Sequence, residues 1–274
     1  MRKLKSSTLV RYAVALLVGL GISLNVTAQN LGTLFTDLWW NPDESGWGVT
    51  ISHQQNFLFL TFFIYQANGT PYWVTAQLQK VGTSGYPTFP QEFAGPVYQT
   101  SGPYFGGPFN PANVAGQVVG TASFSASGIA AGTLQYSING VNVSKSIQRQ
   151  TLVNVNYSGQ YLGGLTYQTR DCGNPANNGL TVVNTGVVTI SQVGTSLQAI
   201  AQSSSVTCQF NGTYIQAGSI GQTNGTYSCT DGTAGPFAFV GMQWTLFGMT
   251  AGVQGQSQFC SFGGYIGGLT AGGR

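Results

Sequence analysis

Apolar and polar residues alternate along most of this chain, the period-two signature of strands with one buried face. Over residues 47–54, Trp47, Val49, Ile51 and His53 fall on one face and Gly48, Thr50 and Ser52 on the other. Over 72–79, Tyr72, Val74, Ala76 and Leu78 oppose Trp73, Thr75, Gln77 and Gln79, which puts Trp73 on the polar face. Residues 57–65 are apolar on both faces, so this strand is expected to be central and covered on both sides. Further strands are predicted over 34–40, 94–100, 114–124, 134–138 and 141–148. Gln55-Asn56, Asn68-Gly69 and Asn139-Gly140 supply turns between them. Eight antiparallel strands with short connections are enough to close an up-and-down barrel. Two longer connections interrupt them. Residues 83–92 are rich in Gly and Pro, and residues 101–112 carry Tyr104, Phe105 and Phe109. The second connection is expected to pack over a barrel mouth or to serve as a binding loop.

The second half is also strand-like and carries an internal repeat. Cys208-Gln209-Phe210-Asn211-Gly212 matches Cys260-Ser261-Phe262-Gly263-Gly264, and the approach to Cys172 resembles the approach to Cys229. Each unit reads as strand, Cys, turn, two strands, Cys, strand. One disulfide per unit is the natural expectation, Cys172 with Cys208 and Cys229 with Cys260. The fold class is therefore all-β, with two antiparallel barrel-like or sandwich domains, the second built from two repeats with disulfides. The expected organisation is residues 1–28, then a β-domain over 29–153, then a disulfide-stapled β-domain over 158–274.

Residues 1–28 read as a secretory signal peptide. Arg2, Lys3, Lys5 and Arg11 precede an apolar run, and Val26-Thr27-Ala28 is a small-x-small cleavage site. The mature chain then begins at Gln29, in the periplasm or outside the cell, where cysteines pair. Four of the nine basic residues leave with the leader, so five face six acidic ones. That balance offers no basic patch for nucleic acid. No later stretch is long enough for a transmembrane helix. An outer-membrane barrel fits less well, because the strands lack consistent lipid-facing alternation.

Only 5% of the chain is charged and His53 is the sole histidine. A histidine-based metal site is thereby excluded, and no cysteine pair has zinc-knuckle spacing. No cofactor motif and no Gly-x-Ser-x-Gly elbow is present. What stands out is residues 37–48, with three of the five Trp and three of the six acidic residues. Trp39 and Trp40 end a strand, Asn41-Pro42-Asp43 is turn chemistry, and Gly46 and Gly48 flank Trp47. Trp39, Trp40, Trp47 and Trp73 with Asp43 and Glu44 form the candidate ligand site. Indoles stack on sugar faces while carboxylates accept from hydroxyls.

The decapeptide Trp-Trp-Asn-Pro-Asp-Glu-Ser-Gly-Trp-Gly, followed by Asn68-Gly69 and Pro71-Tyr72-Trp73, resembles a pattern in exported proteobacterial proteins of unknown function. The resemblance implies export and an all-β fold, and it carries over no catalytic residues. The expectation is a non-catalytic exported bacterial protein that binds a glycan-like ligand. Two alternatives stay open: a structural or cell-surface interaction protein with no small ligand, and a secreted hydrolase using Asp43, Glu44 or His53. Glu92 and Asp37 are further candidate carboxylates for the last of these.

Overall fold

The computed structural model describes residues 35–82 and 89–271. The leader 1–28, the first expected strand residue and most of the 83–92 connection lie outside the described residues. Sixteen strands form two closed antiparallel barrels of eight, each strand pairing with its sequence neighbours and the last with the first. The first barrel comprises β1 (Asp37–Trp40), β2 (Gly48–Gln54), β3 (Phe57–Tyr65), β4 (Pro71–Val81), β5 (Gln91–Ser101), β6 (Ala115–Ala126), β7 (Ala131–Ile138) and β8 (Val141–Arg149). It closes where Trp39 pairs with Arg149 and Trp40 with Gln148. The second comprises β9 (Gly159–Arg170), β10 (Thr181–Val193), β11 (Ser196–Ser203), β12 (Thr207–Ala217), β13 (Ile220–Cys229), β14 (Ala234–Thr245), β15 (Gly248–Gln256) and β16 (Ser261–Thr270). It closes along the whole of the β16 to β9 ladder.

Strand parity fills the interiors. Val49 and Ile51 of β2, Leu58, Leu60 and Phe62 of β3, and Val74, Ala76 and Leu78 of β4 are all buried. An eight-stranded barrel leaves an interior just wide enough for side chains to fill. The expectation that 57–65 is covered on both sides is corrected. Phe59, Phe63 and Tyr65 point outward and are exposed. A closed single-layer barrel gives every strand one inner and one outer face, and no second layer covers the outside.

Each barrel opens with the same device. Trp39 donates its Nε1–H to the carbonyl of Phe35 at 2.9 Å, and the Tyr161 hydroxyl donates to the carbonyl of Tyr157 at 2.8 Å. All four rings are buried. In both cases an aromatic residue four positions upstream caps the core and receives the polar hydrogen of the next ring.

A second local device recurs in three connections. Asn41, Asn110 and Asn174 each precede a Pro, and each side-chain oxygen accepts from the backbone N–H two residues on, at 3.0 to 3.1 Å. Their carbonyls accept again one residue later, from Glu44, Asn113 and Asn177. Pro fixes φ and asparagine supplies the turn acceptor, so the sequence alone dictates this geometry.

The disulfides are Cys172–Cys260 and Cys208–Cys229, which corrects the expected pairing of Cys172 with Cys208 and Cys229 with Cys260. The reason is closure. Cys208 and Cys229 are direct cross-strand partners on β12 and β13. Cys172 follows β9 and Cys260 precedes β16, and these first and last strands are neighbours only because the barrel closes.

Glycines let the second barrel bend sharply. Gly186, Gly163 and Gly268 form one cross-strand row on β10, β9 and β16. A Cβ on Gly163 would be driven into the Gly267 carbonyl, and one on Gly186 into the Gln202 carbonyl. Only glycine allows that approach of backbone to backbone.

The barrels meet through Asp37 and Arg149. The Arg149 side chain is fully buried, and its Nη1 lies 2.9 Å from Asp37 Oδ2. It also donates to the carbonyls of Ile129 and Thr36 and lies 5.0 Å over the Trp39 ring. Burial pushes the Arg149 pKa down, and Asp37 opposes that shift. The same Asp37 oxygen accepts from Ser219 N–H at 2.8 Å and from the Ser219 hydroxyl at 3.0 Å, across to the β12–β13 turn. Gln216 anchors the connecting segment, donating to the Val153 carbonyl and accepting from Val155 N–H.

Candidate functional site

The residues singled out in 37–48 separate into three environments. Trp39 belongs to the core, not to a surface platform, which corrects its place in the candidate site. Its side chain shares the inward parity of β1 and packs edge-on against Phe124 at 5.2 Å. Trp40, one residue on, is outward and half-buried. Asp43 is exposed at the turn.

Trp47 and Glu44 form a polar clasp with a residue that no local pattern announces. Trp47 donates its Nε1–H to Glu44 Oε2 at 2.9 Å. Lys145 of β8 donates to Glu44 at 2.8 Å, and its Nζ lies 5.8 Å over the Trp47 ring. The hydrogen bond from Lys145, helped by that from Trp47, holds the Glu44 carboxyl below its usual range. An ionised, occupied carboxylate suits an electrostatic tie and not a general acid, which needs a raised pKa.

His53 is also occupied. Its Nδ1 accepts from Phe35 N–H at 3.1 Å, and its Nε2 lies 2.6 Å from the Gln55 carbonyl. That arrangement requires the proton on Nε2. The ring stacks on Phe35 at 5.3 Å and is buried. Asp37, whose cross-strand partner Ile51 lies on the His53 strand, faces Arg149 and Ser219 instead. These contacts give His53 a structural task at the start of β1 and leave neither ring nitrogen for a nucleophile.

Trp73 is where sequence parity places it, outward on β4 and 54% exposed. Its cross-strand partner is Phe63 on β3, 52% exposed, which pairs on its other side with Gly48. Tyr65, two residues along β3, is 57% exposed and donates its hydroxyl to the Gly46 carbonyl at 2.8 Å. Phe63, Trp73 and Tyr65 thus make a continuous aromatic face beside the 41–47 turn. Phe63 and Tyr65 were legible as the odd-numbered aromatics of β3, but a two-sided apolar strand reads as buried. Lys145 left no signal, since it lies about a hundred residues from its partner in sequence.

The 102–114 connection does not pack over the barrel. Tyr104 and Phe109 are exposed and Phe105 is 93% exposed. The Tyr104 and Phe105 rings meet at a tilt, 4.8 Å between centroids. The loop is held by its Asn110 turn. Among the described residues no group of three or more His, Cys, Asp or Glu is placed to hold a metal ion. No helix of the described residues is long and apolar enough to cross a membrane. Comparison with protein-family models, with curated proteins and with solved structures gives no match for this chain.

Proposed function

We propose that this is an exported, non-catalytic bacterial binding protein that holds a glycan against the outer aromatic face of its first barrel. One observation carries the reading: Trp73 and Phe63, a cross-strand pair, are both more than half exposed on a protein whose core is already full. Aromatic rings exposed side by side on a rigid sheet offer a flat, weakly hydrated platform for the CH faces of a sugar. Asp43, exposed at the adjoining turn, supplies a hydroxyl acceptor, while Glu44 and Lys145 brace Trp47 beneath it. Trp40 extends the aromatic edge from β1. The two disulfides are compatible with the periplasm or the exterior as the working compartment.

Trp73→Ala is the test. Its stability should change by less than about 0.5 kcal/mol, as for exposed positions generally. Retention on a glycan matrix, and the tryptophan fluorescence shift on titrating soluble glycans, should be lost. Unchanged retention in the folded variant would sink this site. One observation favours a second reading, a surface interaction protein. Phe105 stands almost fully exposed on an ordered loop, as a docking side chain for another protein would. A glycan panel that gives no shift, with a protein partner lost on Phe105→Ala, would decide for it.

A further inference from the structure

The second barrel is open at its disulfide end. A cavity of about 290 Å³ sits in that mouth, between Cys208–Cys229 and Cys172–Cys260. Its floor and walls are inward-facing rings. Tyr167 packs on Phe262 at 5.1 Å, Tyr227 stands edge-on to Phe262 at 5.5 Å, and Phe210 stacks on Tyr227 at 5.6 Å. The one charged side chain of the lining is Asp231, at the rim on the β13–β14 turn. Thr233 orients it, donating its N–H and hydroxyl to Asp231 Oδ1 at 3.0 and 2.7 Å. Among the described residues the Tyr167 and Tyr227 hydroxyls make no hydrogen bond. Burial, with smaller contributions from Tyr167 and Asp231, pushes the Tyr227 hydroxyl up to about 12, and burial followed by Asp231 raises that of Tyr167. Both phenols stay neutral at ordinary pH, so Asp231 supplies the charge of the lining.

We propose that this mouth is a second binding site, for a small organic ammonium ion with an apolar or aromatic body. Three features select that class. Faces of Tyr and Phe attract a cation through their quadrupoles, and a cage of several such rings favours alkylated ammonium groups. Asp231 supplies the counter-charge at the entrance and no basic side chain of the lining opposes it. The volume admits a molecule of small size, and the two disulfides fix the lip before it arrives, so little ordering is needed on binding. An anion meets Asp231 at the entrance, and a neutral molecule gains nothing from that charge or from the ring quadrupoles. The site is independent of the first barrel's aromatic face.

The test uses the whole oxidised protein and three probes: benzyltrimethylammonium, benzyl alcohol and benzenesulfonate. Isothermal titration should show saturable binding of the cation, with benzyl alcohol at least about tenfold weaker and benzenesulfonate without heat. Tyr167 and Tyr227 ring resonances should shift with the cation. Asp231→Asn keeps the acceptor that Thr233 uses and removes the charge; the cation should then bind about as weakly as the alcohol. Phe262→Leu, which keeps Asp231, should also weaken the cation. The proposal is overturned by an absence of saturable cation binding, by benzyl alcohol binding as tightly, or by Asp231→Asn leaving the cation affinity unchanged. Trp73→Ala leaves this binding intact.

Discussion

At the joint end of the first barrel, Phe35, Trp39 and the Arg149 guanidinium fill the core. In the second barrel Tyr157 and Tyr161 stand in the matching place, and the Tyr157 hydroxyl donates to the Met242 carbonyl at 2.8 Å. The far ends differ more. The first barrel ends in a solid core, Phe62 against Tyr136, below the Trp47, Glu44 and Lys145 clasp. The second ends in an open aromatic mouth whose strands are stapled by two disulfides. One topology is thus secured in two ways. The first barrel carries no cysteine and relies on its packing, whereas a barrel hollow at one end gains from covalent closure. The difference also divides the two proposed binding surfaces, one on the outside of the first barrel and one inside the mouth of the second.

Removing the closure disulfide should break the comparison most severely. Cys172→Ser with Cys260→Ser opens a link across 88 residues and is expected to cost about 4 to 5 kcal/mol. The link across 21 residues, removed in Cys208→Ser with Cys229→Ser, should cost about 3 kcal/mol. Urea unfolding followed by fluorescence can assign the loss. Trp244 is the second barrel's sole tryptophan, so its signal should move while that of the first barrel's four stays. Equal losses for the two links would contradict the dependence on loop length.

Trp39→Ala attacks the packed solution instead. A fully buried indole replaced by a methyl group is expected to cost about 3 to 5 kcal/mol. The midpoint of the first barrel should fall while the disulfide barrel resists. Asp37→Ala removes the charged partner of buried Arg149 and the acceptor for Ser219, at a cost of about 3 kcal/mol. Because that carboxylate touches both barrels, cleavage of the 150–158 segment by a protease should rise in this variant and not in Trp73→Ala.

The smallest effect is a pH response of the clasp. Glu44 is held below its ordinary value of 4.5, so its tie to Lys145 and Trp47 is complete above that value and fades as pH falls through the lowered one. Trp47 emission should change in that acid range, and Glu44→Gln should flatten the response. A response that persists in Glu44→Gln would assign the titration to another group.

Alternation alone placed Val49 and Ile51 on the apolar face and Trp73 on the polar one, because the period of a strand fixes which face each residue takes. The same rule put Trp39 inward, but its neighbour Trp40 and the turn that follows made the pair look like one surface feature. The candidate site was therefore legible at Trp73, Asp43 and the Trp47 turn, was visible but read as buried at Phe63 and Tyr65, and left no signal at Lys145. Their roles depend on which strands become neighbours.

The sequence by itself determined the all-β class, most strands and turns of the first barrel and, where one face is polar, the side on which each residue lies, since these follow from local periodicity, Asn-Pro chemistry and glycine. Only the tertiary structure decided the disulfide pairing, the Asp37–Arg149 joint, the Glu44–Lys145 clasp and the aromatic mouth around Tyr227. Cys172–Cys260, the joint and the clasp each cross the seam between first and last strands, and closure is a property of all eight strands together, while Cys208–Cys229 follows from the β12–β13 register.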